Sequence, residues 1–178
     1  MKNIIIFLAD GFEEVEALVP IDVLRRANFN VLLCGLDKKE VTSTHNIKIY
    51  CDVVINDIKD NIFDCIILPG GMPGTLNLKN DSRVCDIILK HYDMDKLICA
   101  ICAAPSILEY LGLLKNKKAI SYPGFLSNKE TLVIDKRVVV DENIITSKGA
   151  GTAFDFAYTI LEKLNINSRE LKKTMMYE

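Results

Sequence analysis

The chain has 178 residues, of which 49% are hydrophobic, so it can bury one sizeable core but is short for two ordinary domains. We therefore expect a single domain over residues 1–178. The 22 basic and 24 acidic residues give a formal charge of -2. A chain so close to neutrality has no strong field that would attract nucleic acid or an anionic membrane, so we expect neither as a partner. Small molecules or proteins are the expected partners.

The first residues predict a cytoplasmic protein. The apolar run Ile4–Ala9 is far too short to span a membrane, and Lys2 before it with Asp10 after it does not make a signal peptide. Most of the six cysteines are therefore expected to be reduced. Cys34 and Cys65 lie in apolar, strand-like runs, where a thiol behaves as a small buried hydrophobe.

Apolar runs alternate with helical patterns along the chain. The strand-like runs are, in order, "KNIIIFLA", "FNVLLCGL", "FDCIILPGG", "KLICAIC", "KAISY" and "NIITSKGAG". Helices are predicted over Glu13–Ala27, Ser82–His91, Ala104–Leu111 and Thr152–Leu164, with Asp81 or Ser82 as the cap of the second. Continuous apolar runs are typical of parallel strands covered on both faces. The pattern predicts an α/β fold with a doubly wound, mostly parallel sheet and helices on both faces.

Two segments interrupt this alternation. They are "VTSTHNIKIYCDVVI" and "TLVIDKRVVVDENII", and both are interpreted as short hairpins or extra strands with polar turns. In the second, "DKR" is the predicted turn. No internal repeat or linker indicates a domain boundary.

Functional residues are expected in the strand-to-helix turns, because ligands of open α/β sheets bind beyond the carboxyl ends of the strands. The turns are "ADGFEEVE", "LPGGMPG", "AICAAPS", "SYPG" and "SKGAGTA". The glycine-rich "PGGMPG" is neither a Walker loop nor a dinucleotide fingerprint. It either supplies backbone amides to an oxyanion or is only a tight turn.

Cys99 and Cys102 have the C-x-x-C spacing of a redox pair or half a zinc site. Cys99 lies inside an apolar run and is expected to pack in the core, and neither a second C-x-x-C nor a histidine pair completes a zinc site. Cys102 stands where the strand ends and a helix with Pro105 in its first turn begins, as a nucleophile in a strained elbow does. The helix start would favour its thiolate. The alternative is another buried cysteine.

Glu16 lies on the apolar stripe of the first predicted helix, with Val19, Pro20 and Val23 on the same face. Burial there would raise the pKa of its carboxyl, which could then donate a hydrogen bond to a thiolate or sulfinate. The alternative is an exposed acid at a helix start, a common position for one.

The histidines, His45 and His91, support a catalytic triad poorly. His91 is expected on the surface near the end of its helix. His45 lies in a polar turn and could reach the site only if its hairpin folds over it.

Four motifs in this order resemble the ThiJ/PfpI superfamily, and within it the branch of the Parkinsonism-associated deglycase DJ-1. They are "ADGFEEVEALVPIDVLRRA", "LPGGMPG", "AICAAPSIL" and "SKGAGTAFDFA", and the resemblance extends from Lys2 to about Leu164. It implies a flavodoxin-like sandwich related to class I glutamine amidotransferases, a homodimer and a reactive cysteine at Cys102.

The resemblance also implies roles for the residues around that cysteine. Glu16 matches the protonated glutamate beside the sulfur, and Gly70, Gly71 and Ala103 match the surrounding backbone amides. The family oxidises this cysteine to a sulfinate. Its members are credited with cofactor-independent conversion of small dicarbonyls to hydroxy acids, repair of glycated amines and thiols, and chaperoning.

Two departures from the family bear on function. Many relatives have histidine directly after the cysteine, whereas this chain has Ala103, which argues against peptidase activity. The DJ-1 branch has histidine before a proline near the site, whereas this chain has Tyr122 and Pro123. A phenol with a pKa of about 10 is a poor base at neutral pH.

The leading hypothesis is a glyoxalase or deglycase that uses no metal or organic cofactor. Cys102 would add to a small dicarbonyl, Glu16 would transfer protons, and the amides of Gly71 and Ala103 would hold the oxyanion. Gly70, Tyr122 and Pro123 are the predicted substrate-binding residues. The alternative is a stress-response or chaperone protein whose Cys102 senses an oxidant without turnover.

Overall fold

A mostly parallel sheet lies at the centre of the computed structural model, which describes residues 2–58 and 61–177. The strands are β1 (Asn3–Leu8), β2 (Asn30–Gly35), β3 (Glu40–Thr42), β4 (Lys48–Tyr50), β5 (Val53–Val54), β6 (Cys65–Leu68), β7 (Leu97–Ile101), β8 (Lys118–Ala119), β9 (Leu132–Val133), β10 (Val138–Asp141) and β11 (Ile144–Ser147). Seven of them form the described sheet in the order β10-β11-β7-β6-β1-β2-β5, and only β10 runs antiparallel to its neighbour. This is the predicted flavodoxin-like arrangement.

Helices cover both faces of the sheet. They are α1 (Glu14–Arg26), α2 (Gly74–Asn80), α3 (Ser82–Asp93), α4 (Pro105–Tyr110), α5 (Ala153–Lys163) and α6 (Arg169–Thr174). α1 and α5 contribute to the core on one face, and α2, α3 and α4 contribute to the core on the other. The four helices predicted from the sequence correspond to α1, α3, α4 and α5, whereas α2 and α6 were not predicted.

The apolar composition of β1 follows from its central position. Ile4, Ile6 and Leu8 point into the core beneath α1 and α5, and Ile5 and Phe7 point into the core on the opposite face. All five side chains are fully buried. Burying each contributes about 1.5–3 kcal/mol relative to exposure, which is why the strand has no alternating polar positions.

The first interrupting segment forms the predicted hairpin. β3 and β4 pair antiparallel, and the hairpin packs on the β1–α1 turn through a bridge between Phe12 and Ser43. The N–H of Gly11 donates to the carbonyl of Thr42 over 2.8 Å. β5, which follows, is the edge strand beside β2.

The second interrupting segment forms extra strands, one of the two predicted alternatives, but the predicted "DKR" hairpin turn is wrong. β9 pairs parallel with β8 in a separate two-stranded sheet, and the antiparallel hairpin is formed by β10 and β11. Its turn is at Glu142 and Asn143, where Glu142 has a φ of 50°. Pairing with β11 attaches β10 to the edge of the central sheet. β8, from the "KAISY" run, pairs with β9 and therefore lies outside the central sheet.

The connections place a topological switch point between β1 and β6. The chain leaves β1 for β2 on one side, and later returns to β6 on the other side of β1. Neighbouring connections therefore diverge at the carboxyl ends of β1 and β6 and leave a crevice there. The turns after β1, β6, β7 and β11 meet at this edge. Within residues 2–58 and 61–177, no helix combines the length and apolarity needed to cross a bilayer.

Candidate active site

Cys102 occupies a strained turn directly after β7. Its φ of 64° lies in the left-handed region, which residues with a Cβ seldom adopt. The N–H of Cys102 donates to the carbonyl of Ser147 over 2.9 Å, and its own carbonyl accepts from the N–H of Tyr122 over 2.8 Å. These two bonds fix the turn before α4 begins at Pro105. The half-buried thiol thus stands at the carboxyl edge of the sheet with the backbone geometry of a nucleophile elbow.

Glu16 is buried beside this cysteine, as its apolar stripe predicts. Its residue exposure is only 1%, and its Oε2 accepts a hydrogen bond from the N–H of Gly70 over 2.9 Å. Burial raises the pKa of the Glu16 carboxyl from 4.5 to about 7, against the opposing effect of a hydrogen bond with the Cys102 thiol. The negative charge of Glu13 raises this pKa further. The carboxyl therefore changes charge near neutral pH.

The Cys102 thiol is harder to ionise than its position suggests. Burial raises its pKa to about 12, with the charge and hydrogen bond of Glu16 acting in the same direction. The N–H groups of Ala103 and Gly71 lower it. The helix start does favour the thiolate through the Ala103 amide, as predicted, but burial and the charge of Glu16 outweigh it. α4 has only six residues, so its dipole is weak compared with burial and a neighbouring carboxylate.

The two acids titrate as a pair because each alters the charge that the other experiences. A proton on Glu16 removes the anion that opposes ionisation of Cys102 and provides an O–H that can donate to sulfur. The Ala103 and Gly71 amides, together with this O–H, then favour the thiolate against the effect of burial. One proton can thus pass between carboxyl and thiol with little change in total charge.

Gly70 allows the carboxyl and the cysteine to approach each other. A Cβ on Gly70 would lie 2.6 Å from Oε2 of Glu16 and 2.7 Å from Cβ of Cys102, closer than real atoms pack. The N–H of Gly70 is occupied by Glu16, so the amides directed at the sulfur are those of Gly71 and Ala103. These two are the predicted oxyanion donors.

Tyr122 and Pro123 lie next to the elbow. The Tyr122 ring is half exposed and packs edge-on against Phe125. A Cβ built on Gly149 would lie 3.6 Å from Cδ2 of Tyr122 and 4.0 Å from Sγ of Cys102. Gly149 is thus a site residue that we did not identify individually from the sequence, although its turn, "SKGAGTA", was predicted to contribute.

His91 is completely buried, contrary to the prediction of a surface histidine. Its Nδ1 lies 2.7 Å from the carbonyl of Ile87, and its Nε2 accepts from the N–H of Phe63 over 2.9 Å. The accepted bond requires an uncharged ring with its proton on Nδ1. The chain before β6 covers this end of α3, which helix periodicity could not show.

His45 approaches the site region without reaching the sulfur. Its hairpin folds over the β1–α1 turn, and its Nδ1 lies 2.7 Å from Oε1 of Glu14. Among the described residues, His45, Glu13 and Glu14 are the group that could hold a metal ion, with ligand atoms within 4.8 Å of one another. The Oε2 of Glu13 already caps α1 by accepting from the N–H of Glu16.

The C-x-x-C pair is separated by the fold. Cys99 is fully buried with its Sγ 3.6 Å from Sγ of Cys65, so its neighbour in space is on β6 rather than three residues along the chain. Burial raises the pKa of the Cys99 thiol. Cys34 and Cys65 are also buried, as predicted, and all six cysteines are free thiols.

The chain that carries this arrangement is similar to a known protein family. The sequence profile of the DJ-1/PfpI family matches residues 2–163. The chain belongs to the DJ-1/PfpI family. The resemblance inferred from the four motifs is confirmed.

Family relatives include proteins named for enzymatic activities. The chain is 39% identical over 167 residues to protein dj-1beta of Drosophila melanogaster, covering 92% of this chain and 89% of the relative. It is 35% identical to the glutathione-independent glyoxalase DJR-1.2 of Caenorhabditis elegans, over 92% and 89% of the two chains. A deglycase of Pyrococcus abyssi is 29% identical over 85% of this chain and 93% of its own. The chain spans only 37% and 43% of two DJ-1 homologues of Arabidopsis thaliana.

Solved structures confirm the fold. A cysteine-to-alanine mutant of a DJ-1 superfamily protein from Salmonella typhimurium superposes with a TM-score of 0.96 at 34% identity, covering 100% of both chains. A structure described as oxidized DJ-1 of Toxoplasma gondii gives a TM-score of 0.93 at 30% identity, covering 99% of this chain and 98% of the other.

Proposed function

We propose that this DJ-1/PfpI protein is a cysteine-dependent glyoxalase or deglycase that acts on small dicarbonyls or their adducts and uses no metal or organic cofactor. The observation that carries the proposal is the contact between Cys102 and Glu16, a buried acid with a pKa of about 7. A group with this pKa serves equally as base and acid at neutral pH, which is what a reaction with several proton transfers needs.

Addition begins when the Glu16 carboxylate takes the proton of the Cys102 thiol as Sγ attacks the aldehyde carbon. The aldehyde oxygen becomes an oxyanion that accepts hydrogen bonds from the amides of Gly71 and Ala103. Glu16 then returns the proton to that oxygen, which yields a neutral hemithioacetal. The left-handed turn at Cys102 directs the sulfur towards both amides.

Conversion to a hydroxy acid needs only Glu16 and one water. Glu16 removes the proton from the former aldehyde carbon, giving an enediolate, and returns that proton to the neighbouring carbon. The hydroxyl proton on the former aldehyde oxygen passes to the former ketone oxygen in the same conversion. The product is a thioester, which water hydrolyses to release the hydroxy acid and regenerate the thiol. For methylglyoxal, the overall reaction adds one water to the substrate and gives lactate, so no external oxidant is needed.

Replacement of the nucleophile tests this function. Cys102→Ser should lower kcat/KM for methylglyoxal by at least about 100-fold, because a hydroxyl is a far weaker nucleophile than a thiol. Cys85→Ser is the matched control, since Cys85 is the other half-buried cysteine and bonds to the carbonyl of Lys79, away from the site. A Cys102→Ser protein with parental activity would exclude this mechanism.

A redox-sensing role is the second candidate, supported by the protonated state available to Glu16 next to a half-buried sulfur. A protonated carboxyl can donate to a sulfinate, and each oxygen added comes from a peroxide that is reduced to water. Mild peroxide followed by intact and peptide mass spectrometry should add two oxygens at Cys102 before Cys85 changes. Equal oxidation of these two cysteines would remove the redox proposal.

A homodimer is the assembly we propose. Its support is the set of exposed apolar side chains, Val15 and Leu18 on α1 and Ile47 and Tyr50 on the hairpin packed against the start of α1. Sedimentation equilibrium should give twice the chain mass, and Leu18→Glu should lower that mass towards one chain. A monomer at all concentrations would contradict the proposal.

A further inference from the structure

An open pocket next to Tyr122 has no role in the steps described above. It has a volume of about 330 Å³, within the range of small-molecule sites. Its wall includes Tyr122 and Pro123, with Val133 from β9 and the charged residues Asp135 and Lys148. It lies on the carboxyl edge of the sheet, whereas the larger cavity lined by Lys96 and Leu97 lies on the opposite edge.

The pocket and the reactive sulfur share Tyr122 as a neighbouring residue. A methyl group on Gly149 would lie within 4.0 Å of both Sγ of Cys102 and Cδ2 of Tyr122, so the gap there borders on both. Tyr122 then forms one wall of the pocket. Lys148 directly precedes Gly149, and adjacent Cα atoms are about 3.8 Å apart. Lys148 and Tyr122 both line the pocket, so a molecule bonded to Cys102 that passes over Gly149 and Tyr122 would enter the space beside Lys148.

The charge in this pocket is available to a ligand. Lys148 forms an ion pair with Asp135, and their side chains are 43% and 84% exposed. Ion pairs exposed to this extent contribute only about 0.2–1 kcal/mol. An incoming carboxylate can therefore replace Asp135 as the partner of Lys148. The nearby guanidinium of Arg137 is already bound to Asp155 and the carbonyl of Gly151.

We propose that the pocket beside Tyr122 is a subsite for a carboxylate at the far end of the substrate, with Lys148 as the specificity-determining residue. The inference deepens the proposed function and rests on it, because the carboxylate belongs to the molecule whose carbonyl Cys102 attacks. The substrate class is then a dicarbonyl, or an adduct of one, that carries an acidic tail. Asp135 competes with that tail for Lys148.

Paired substrates test this subsite. 4,5-Dioxopentanoate is an α-ketoaldehyde with a carboxylate tail, and 2-oxopentanal is a neutral ketoaldehyde of the same chain length. Lys148→Gln should lower the ratio of their kcat/KM values about two- to fivefold, through KM of the acidic substrate, and Asp135→Asn should raise it. Lys163→Gln, which removes the same charge from the opposite edge of the sheet, should leave the ratio unchanged.

A second measurement separates the subsite from turnover. The rate of Cys102 alkylation by 4-maleimidobutyrate is divided by the rate with N-butylmaleimide, a neutral reagent with a tail of similar length. Lys148→Gln should lower this ratio about two- to fivefold, and added salt should lower the parent ratio towards that of the variant. Peptide mass spectrometry confirms that Cys102 is the modified residue.

The outcomes are distinguishable. If neither dicarbonyl is converted but the alkylation ratio depends on Lys148, the proposed function fails and the anionic subsite stands. If both dicarbonyls are converted and neither ratio changes in Lys148→Gln, the subsite is refuted and the function stands. The Lys148 side chain is partly exposed and lies outside the core, so its replacement should leave the chain folded. Circular dichroism spectra of each variant check this.

Discussion

The N–H of Gly70 donates to Oε2 of Glu16 over 2.9 Å, although 54 positions separate the two residues. This bond attaches the first turn of α1 to the turn after β6. It places a buried carboxyl against the strained cysteine, and the proton chemistry of the site depends on that placement.

Gly70→Ala should disrupt this contact. The added Cβ would lie 2.6 Å from Oε2 of Glu16, so either the carboxyl or the β6 turn must move. We expect a loss of about 1–3 kcal/mol in the free energy of unfolding, as for other overpacked sites, together with slower Cys102 alkylation. Denaturant unfolding measures the first effect. Gly151→Ala is the matched control, because no atom lies within 4 Å of its Cβ, and equal losses in the two variants would contradict the steric explanation.

Glu16→Gln should change how the reactivity of Cys102 depends on pH. In the parent protein, a carboxyl with a pKa of about 7 receives the thiol proton, so the rate of alkylation should rise with an inflection near pH 7. An amide cannot accept that proton, so the variant should lack this inflection and show a single thiol ionisation. Iodoacetamide kinetics between pH 5 and about 10, a range that brackets both ionisations, provide the measurement. Identical profiles would show that Glu16 does not take part.

The same buried carboxyl should make the protein less stable as pH rises. Its pKa is higher in the folded chain, about 7, than the ordinary value of 4.5, so the folded state binds the extra proton. Its stabilising contribution is complete below pH 4.5 and is lost as pH rises to about 7. The rise in the Glu16 pKa from 4.5 to about 7 corresponds to about 3 kcal/mol of the free energy of unfolding. The free energy of unfolding of Glu16→Gln should lack this decline, and a parallel pH dependence in both proteins would rule the effect out.

His91 should have the opposite influence. Burial lowers the pKa of its imidazole from 6.5, and protonation would turn Nε2 into a second donor facing the N–H of Phe63. Its contribution to stability is therefore complete above pH 6.5 and is lost as pH falls below that value. In His91→Gln, the free energy of unfolding measured by denaturant should fall less than in the parent as the pH is lowered below 6.5. Equal acid-side losses in His91→Gln and the parent would contradict this assignment.

The local pattern of the sequence was sufficient for most strands of the central sheet, four of the helices and the position of Cys102 at a strand-to-helix turn. Continuous apolar runs indicate strands buried on both faces, and a cysteine between such a run and a helix start indicates an elbow. The apolar stripe of α1 also predicted that Glu16 is buried, because helical periodicity determines which side chains share a face. Strand burial, the turn at Cys102 and the buried face of α1 all depend on residues that are close together in the sequence.

Contacts between distant segments were decided only by the tertiary structure. β10 pairs with β11 rather than β9, His91 is covered by the chain before β6, and Cys99 faces Cys65 instead of Cys102. The pKa values near the sulfur likewise depend on which groups the fold brings into contact. Sequence alone thus indicated the strands of a mostly parallel sheet, a cysteine at a strand-to-helix turn and an acid on an apolar stripe, because each follows from local periodicity. The tertiary structure decided how these parts meet, because hydrogen bonding, desolvation and charge act over distances that chain order does not specify.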